Sequence, residues 1–143
     1  MAIQSWNKYD PLVTISPGAA LANGAGYLSA AQGADTVGGD LLADFRLSVT
    51  ISTAPTAYQP IYLYLLPAVD GSTYSSGSTS AIPQDALRVG TFIPAAITTA
   101  QVLDLRAILM PVGLFKILLW NACGQTLASG YTISYRPYNL LSQ

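Results

Sequence analysis

Apolar residues in this chain recur at every second position in short runs, and turn-forming residues break the runs at short intervals. In Asp44-Phe45-Arg46-Leu47-Ser48-Val49-Thr50-Ile51-Ser52 the side chains at 45, 47, 49 and 51 are apolar and their neighbours polar. A period of two lays one face on a core and the other on solvent, which specifies a strand. Tyr131-Thr132-Ile133-Ser134-Tyr135-Arg136 repeats the pattern, while 60–66 and 113–120 are nearly continuously apolar and read as strands buried on most of both faces. Weaker strand candidates are 20–22 with 26–31, 87–93 and 100–107. The runs are separated by Asn23-Gly24, Gly38-Gly39, Pro55, Pro60, Pro67, Gly71, Pro94, Pro111 and Gly124. No window specifies a helix. Residues 86–89 and 98–107 hold at most a turn or two, since Thr98, Thr99 and Val102 are β-branched.

Short strands between regular breakers predict an all-β sandwich or barrel, and an antiparallel β-sandwich is the expected form. A jelly roll and an immunoglobulin-like sandwich both fit the strand count. Two segments fall outside the strands. Residues 1–17, with Trp6, Tyr9 and two prolines, read as an extended N-terminal arm, leaving 18–143 as a single sandwich domain. Residues 69–85 form a Ser/Gly-rich loop too long for an ordinary hairpin.

Composition bounds what such a domain does. Of 143 residues, 51% are hydrophobic and only 9% charged, too little charge to cover a monomer's surface. The chain is therefore expected to associate with itself or with a larger assembly. A membrane span is not expected, because Pro111, Gly113, Lys116 and Asn121 interrupt the longest apolar stretch, at 107–123. The first residues lack the basic-then-apolar layout of a secretory signal. The six basic residues, Lys8, Arg46, Arg88, Arg106, Lys116 and Arg136, are scattered, so nucleic-acid binding is not expected.

Catalysis is not expected either. There is no histidine and no glutamate, and seven aspartates are the whole supply of side-chain carboxylates. Asp70-Gly71 reads as a turn, since one carboxylate is too few for calcium, and one cysteine is too few for zinc. Cys123, in an apolar run, reads as a core residue. Lys8 lies in the arm and Lys116 in an apolar strand, which leaves serine without a base. A hydrolytic carboxylate pair would have to come from Asp35, Asp40, Asp44 or Asp104, and Asp40 and Asp44 read more simply as strand-entry residues. Neither a cofactor nor a metal is expected. The nine tyrosines and two tryptophans are the remaining signal. Tyr62 with Tyr64, and Tyr131 with Tyr135, share strand faces and are mainly expected to pack in the core. Trp6, Tyr9, Tyr74 and Tyr138 lie outside the clear strands and are the expected partner-binding residues.

Leu65-Leu66-Pro67-Ala68-Val69-Asp70-Gly71-Ser72-Thr73-Tyr74, Gly113-Leu114-Phe115-Lys116-Ile117-Leu118-Leu119-Trp120-Asn121 and a last strand ending near Arg136-Pro137-Tyr138 are similar to segments of tailed-bacteriophage cement or decoration proteins. The resemblance spans residues 40 to 138. It implies a jelly roll, association in twos or threes, a place on the capsid surface, and the major capsid protein as the partner that is clamped. The alternative is a carbohydrate- or receptor-binding sandwich module of a phage fibre, which clustered exposed aromatics beside Asp and Asn would favour.

Overall fold

The computed structural model describes residues 8–9, 11–33 and 42–139. The described residues form β1 (Lys8–Tyr9), β2 (Val13–Ile15), β3 (Ala25–Leu28), β4 (Leu42–Val49), β5 (Ile61–Pro67), β6 (Arg88–Phe92), β7 (Gln101–Leu109), β8 (Phe115–Asn121) and β9 (Thr132–Asn139). A single 3-10 turn at Asp85–Leu87 is the helical content among them, so no helix there is long and apolar enough to cross a membrane. All strand pairs are antiparallel. One five-stranded sheet runs β1-β9-β4-β7, with β2 also on β9, and a four-stranded sheet runs β3-β8-β5-β6. The fold is the all-β antiparallel sandwich that the alternation predicts, and of the two arrangements that fit the strand count it is the jelly-roll type.

The two sheets meet over one core. Ala43, Phe45, Leu47 and Val49 of β4 pack against Ile61, Leu63 and Leu65 of β5 and Phe115, Ile117 and Leu119 of β8. Phe45 stacks on Tyr135 at 5.4 Å between ring centres, and Phe115 meets the same ring edge-on at 6.0 Å. β5 and β8 lack alternation because their other face is buried too. Tyr64, Leu66, Leu118 and Trp120 form a second cluster there. The loop over 68–87 lies on it: Gly26 N–H donates to Thr79 O at 2.8 Å, Ser75 N–H to Pro67 O at 3.0 Å, and Gly77 sits tight against Leu66.

One expectation changes. The described part of the presumed arm is built into the sheet: β1 and β2 pair with β9, and Val13 and Ile15 turn toward the core. Three residues are too short a run for periodicity to reveal a strand. The strand candidate over 100–107 is β7, which starts at Gln101. That strand bulges opposite Asp44, where the register shifts and Ala107 sits at φ +55°. The Asp44 carboxylate accepts the bulged Ala107 N–H at 2.9 Å and lies 3.6 Å from the Arg106 guanidinium.

Strand direction divides the sandwich into two ends. β5 begins, and β8 and β6 finish, at the end where Ile61 pairs with Asn121 and Phe92. Leu127 bridges to both Leu21 and Ile51, bringing the end of β4 to the same place. At the opposite end Leu42 pairs with Leu109 and Tyr138, and Phe115 pairs with Pro67 and Gln32.

Candidate functional site

Four loops gather where β5 begins: 18–24, 50–60, 93–100 and 122–131. None contains a charged residue, so all six basic and seven acidic side chains fall elsewhere in the chain. What the loops expose instead is hydroxyl and amide, at Asn23, Ser52, Thr53, Thr56, Gln59, Thr98, Thr99 and Thr126, beside the aliphatic side chains of Ile93 and Ile97.

One aromatic ring stands clear among them. Tyr58 is 87% exposed. It is the third residue of a four-residue turn closed by the Gln59 N–H to Thr56 O bond at 3.2 Å, and its φ is +66°. Turns needing positive φ at that position favour Gly or Asn; holding an L-residue there costs about 1–2 kcal/mol. Such strain in a bulky residue is a feature to be explained by function. Pro55 and Pro60 bracket the turn and fix its entry and exit, and the Ala122 N–H holds Pro60 O at 3.1 Å.

Beneath the turn the loops are braced by side-chain amides, those of Asn121 and Gln101 buried and that of Asn23 exposed. Asn121 is fully buried; its Nδ2 donates to Leu21 O at 3.0 Å and Gln125 O at 2.8 Å, and its Oδ1 accepts from Cys123 N–H at 3.1 Å. Asn23 Oδ1 accepts from Gly124 N–H at 2.9 Å. Gln101, 7% exposed, binds the loop that precedes it: Oε1 accepts from Ala95 N–H at 2.8 Å, and Nε2 donates to Ala95 O at 3.1 Å and Ile97 O at 3.5 Å. The end presents a braced, neutral surface with one exposed ring and many hydrogen-bonding groups.

The described residues among those expected to bind a partner lie away from it. Tyr74 is on the loop covering the four-stranded sheet, with Lys116 Nζ 4.5 Å over its ring. Tyr138 is in β9 and 8% exposed, and Tyr9 pairs with it from β1. Trp6 lies outside the described residues. Tyr62 is capped by the Arg88 guanidinium at 5.0 Å, and Tyr64, Tyr131 and Tyr135 are buried, as the strand pattern led us to expect. Sequence reasoning missed Tyr58. The signal was a tyrosine between two prolines in a turn, where no strand claims the ring.

No acid, nucleophile or metal cluster is assembled among the described residues. Asp104 forms a two-pronged bond with Arg46, at 2.7 and 2.9 Å, and those bonds hold its carboxyl below the usual carboxylate range. Asp70 accepts the N–H groups of Thr73 at 2.6 Å and Ser72 at 2.9 Å, which lower its pKa to about 2; it is the turn residue expected. Asp85 pairs with Arg88, and Asp44 serves the β7 bulge. Asp10, Asp35 and Asp40 lie outside the described residues. No three of His, Cys, Asp or Glu come together among those described. Cys123 is buried, and burial raises its thiol pKa, which suits packing rather than attack.

The architecture is thus an antiparallel sandwich carrying a neutral loop end. No family profile matches the chain, and no curated relative matches it. Solved structures do. A carbohydrate-binding module of the CBM36 type, in complex with calcium and xylotriose, is 16% identical, with 95% of each chain covered and a TM-score of 0.50. The CBM36-1 domain of a multidomain xylanase from the hindgut metagenome of Trinervitermes trinervoides is 15% identical, covering 87% of this chain and 78% of that one, with a TM-score of 0.47.

At such identities the likeness is one of fold. It overturns the resemblance to capsid decoration proteins and, with it, the expected place on a virion: the fold is shared with a carbohydrate-binding module. The segments that carried the resemblance explain why it misled. Leu65 to Tyr74 is a doubly buried strand followed by an Asp turn, and Phe115–Asn121 is its doubly buried neighbour. Both patterns answer to core packing, which any sandwich of this kind requires.

Proposed function

We propose that the protein is a non-catalytic module that binds a neutral polysaccharide at its loop end, with Tyr58 as the stacking ring. The observation that carries this is Tyr58 itself, held exposed at positive φ in a neutral field of hydroxyls and amides. A sugar ring offers an apolar face of C–H groups and an equatorial rim of hydroxyls. An exposed tyrosine face with nearby amides and threonines matches both. Charged ligands find no counter-charge in these loops. The shared fold with a module solved with xylotriose supports the same reading and makes xylan the first polysaccharide to try. Absence of catalysis accords with a chain that has no histidine or glutamate and whose described aspartates are all engaged.

The test is electrophoresis through native gels containing xylan, mixed-linkage glucan or galactomannan. At least one should retard the protein, and Tyr58→Ala should weaken that binding by about tenfold or more, equivalent to about 1.4 kcal/mol. Circular dichroism should show the variant folded. Free migration of the wild type in every gel would remove the reading, as would full retardation of Tyr58→Ala.

A further inference from the structure

Loops that hold a ligand must be ordered in advance, or the cost of ordering them is taken out of affinity. A calcium ion orders loops by collecting six to eight oxygens, with carboxylates among them. The solved neighbour is in complex with calcium as well as xylotriose. Carboxylate donors are missing from this chain's loop end: residues 18–24, 50–60, 93–100 and 122–131 include none.

The ordering is nevertheless present, and its source is visible. Asn121 ties together backbone from residues 21, 123 and 125, Asn23 secures 124, and Gln101 secures 95 and 97. The Ala122–Pro60 bond passes this order on to the Tyr58 turn. The hydrogen bonds of the buried, neutral Asn121 and Gln101 amides are little screened by salt, whereas an ion must be supplied.

We propose that the loop end binds its neutral glycan without a cation, with the side-chain amides of Asn121 and Gln101 holding the loops in the binding conformation. This rests on the glycan-binding reading, and the experiment separates the two. Affinity of the full chain for the retarding polysaccharide of the xylan, mixed-linkage glucan and galactomannan set is measured in excess EDTA and again in millimolar calcium chloride. The two values should agree within about twofold, less than 0.5 kcal/mol. Binding lost in EDTA and restored by calcium overturns the cation-free site and leaves the glycan reading standing. Binding in neither buffer overturns both.

The bracing role is read separately with Gln101→Met, which keeps the bulk and removes the bonds. Its affinity should fall by about tenfold in either buffer as ordering cost returns, with core near-ultraviolet dichroism unchanged. Undiminished affinity overturns the brace. If that variant does not fold, hydrogen exchange of the wild-type Ala95 amide decides: strong protection is expected, and exchange at an open-loop rate overturns the brace.

Discussion

Tyr58 shows how a single side chain can be read as a compromise between stability and binding. Its positive φ disfavours any residue with a Cβ, while its 87% exposure means the ring returns almost no burial energy to the fold. Tyr58→Gly should therefore leave stability unchanged or raise it by up to about 1 kcal/mol, the relief of φ strain being partly offset by glycine's chain entropy. Glycan binding should fall as far as in Tyr58→Ala. Urea unfolding at constant m-value measures the first and gel retardation the second. A Gly variant less stable than wild type would show that the ring packs on the loops and is not held out for a ligand. At this scale the sequence was only half legible. The core tyrosines announce themselves by period-two spacing on strands. An exposed tyrosine in a turn has no period, and its distinguishing property is a dihedral angle that no spacing encodes. The buried amides were hidden for the same reason: Asn121 and Gln101 act through partners far along the chain or around a loop corner, at Leu21 and at Ala95.

Among the elements, the strands with strong alternation or long apolar runs were legible, and those depending on tertiary neighbours were not. β4 and β9 follow from alternation and β5 and β8 from apolar density. β1 and β2 exist because β9 offers them an edge, which local sequence cannot show. The double burial of β5 and β8 depends on the loop over 68–87 folding back onto them. One junction carries a sharp test. After β3, Gln32 exchanges both backbone bonds with Phe115, at 2.8 and 3.2 Å, and Gly33 follows at φ +76°. A Cβ there would lie 2.7 Å from Gly113 O, which is backbone and cannot swing aside. Gly33→Ala combines a dihedral penalty with overpacking and should cost about 2–4 kcal/mol. Leu47→Ala, a fully buried truncation between the sheets, should cost a similar 2–5 kcal/mol by leaving a cavity. Denaturant midpoints for the two variants check both. A Gly33→Ala chain as stable as wild type would mean that this corner is not closed as described.

For the molecule as a whole, the unusual charge inventory sets the dependence on pH. With no histidine and no glutamate, no side chain has an ordinary pKa between about 5 and 8. On the acid side, Asp70 is lowered to about 2 by the Thr73 and Ser72 amides, and Asp104 is lowered chiefly by its hydrogen bonds to Arg46. A carboxylate whose folded pKa lies below its unfolded value of about 3.9 contributes stability that is complete above that value. The contribution disappears as pH falls through the folded pKa, because the unfolded chain takes up protons first. On the alkaline side the sign reverses. Burial raises the pKa of Tyr131 to about 12 and also raises those of Tyr27, Tyr64, Tyr135 and Cys123. These groups leave stability intact below their unfolded values, about 8.5 for the thiol and about 10 for the phenols. Above them the unfolded chain ionises first and stability drains away as pH climbs toward the folded values. The melting midpoint should accordingly be flat from about pH 5 to 8, fall below about pH 4, begin to fall again above about pH 8.5, and fall more steeply above about pH 10. Glycan affinity should be flat over the same central window, since the loop end has neither carboxylate nor amine to titrate. Calorimetric melts in buffers of matched ionic strength check the stability curve, and titration of the retarding polysaccharide checks the affinity. A midpoint moving by more than a few degrees between about pH 5.5 and 7.5 would require a titrating side chain with a strongly shifted pKa, contrary to this account of the described carboxylates.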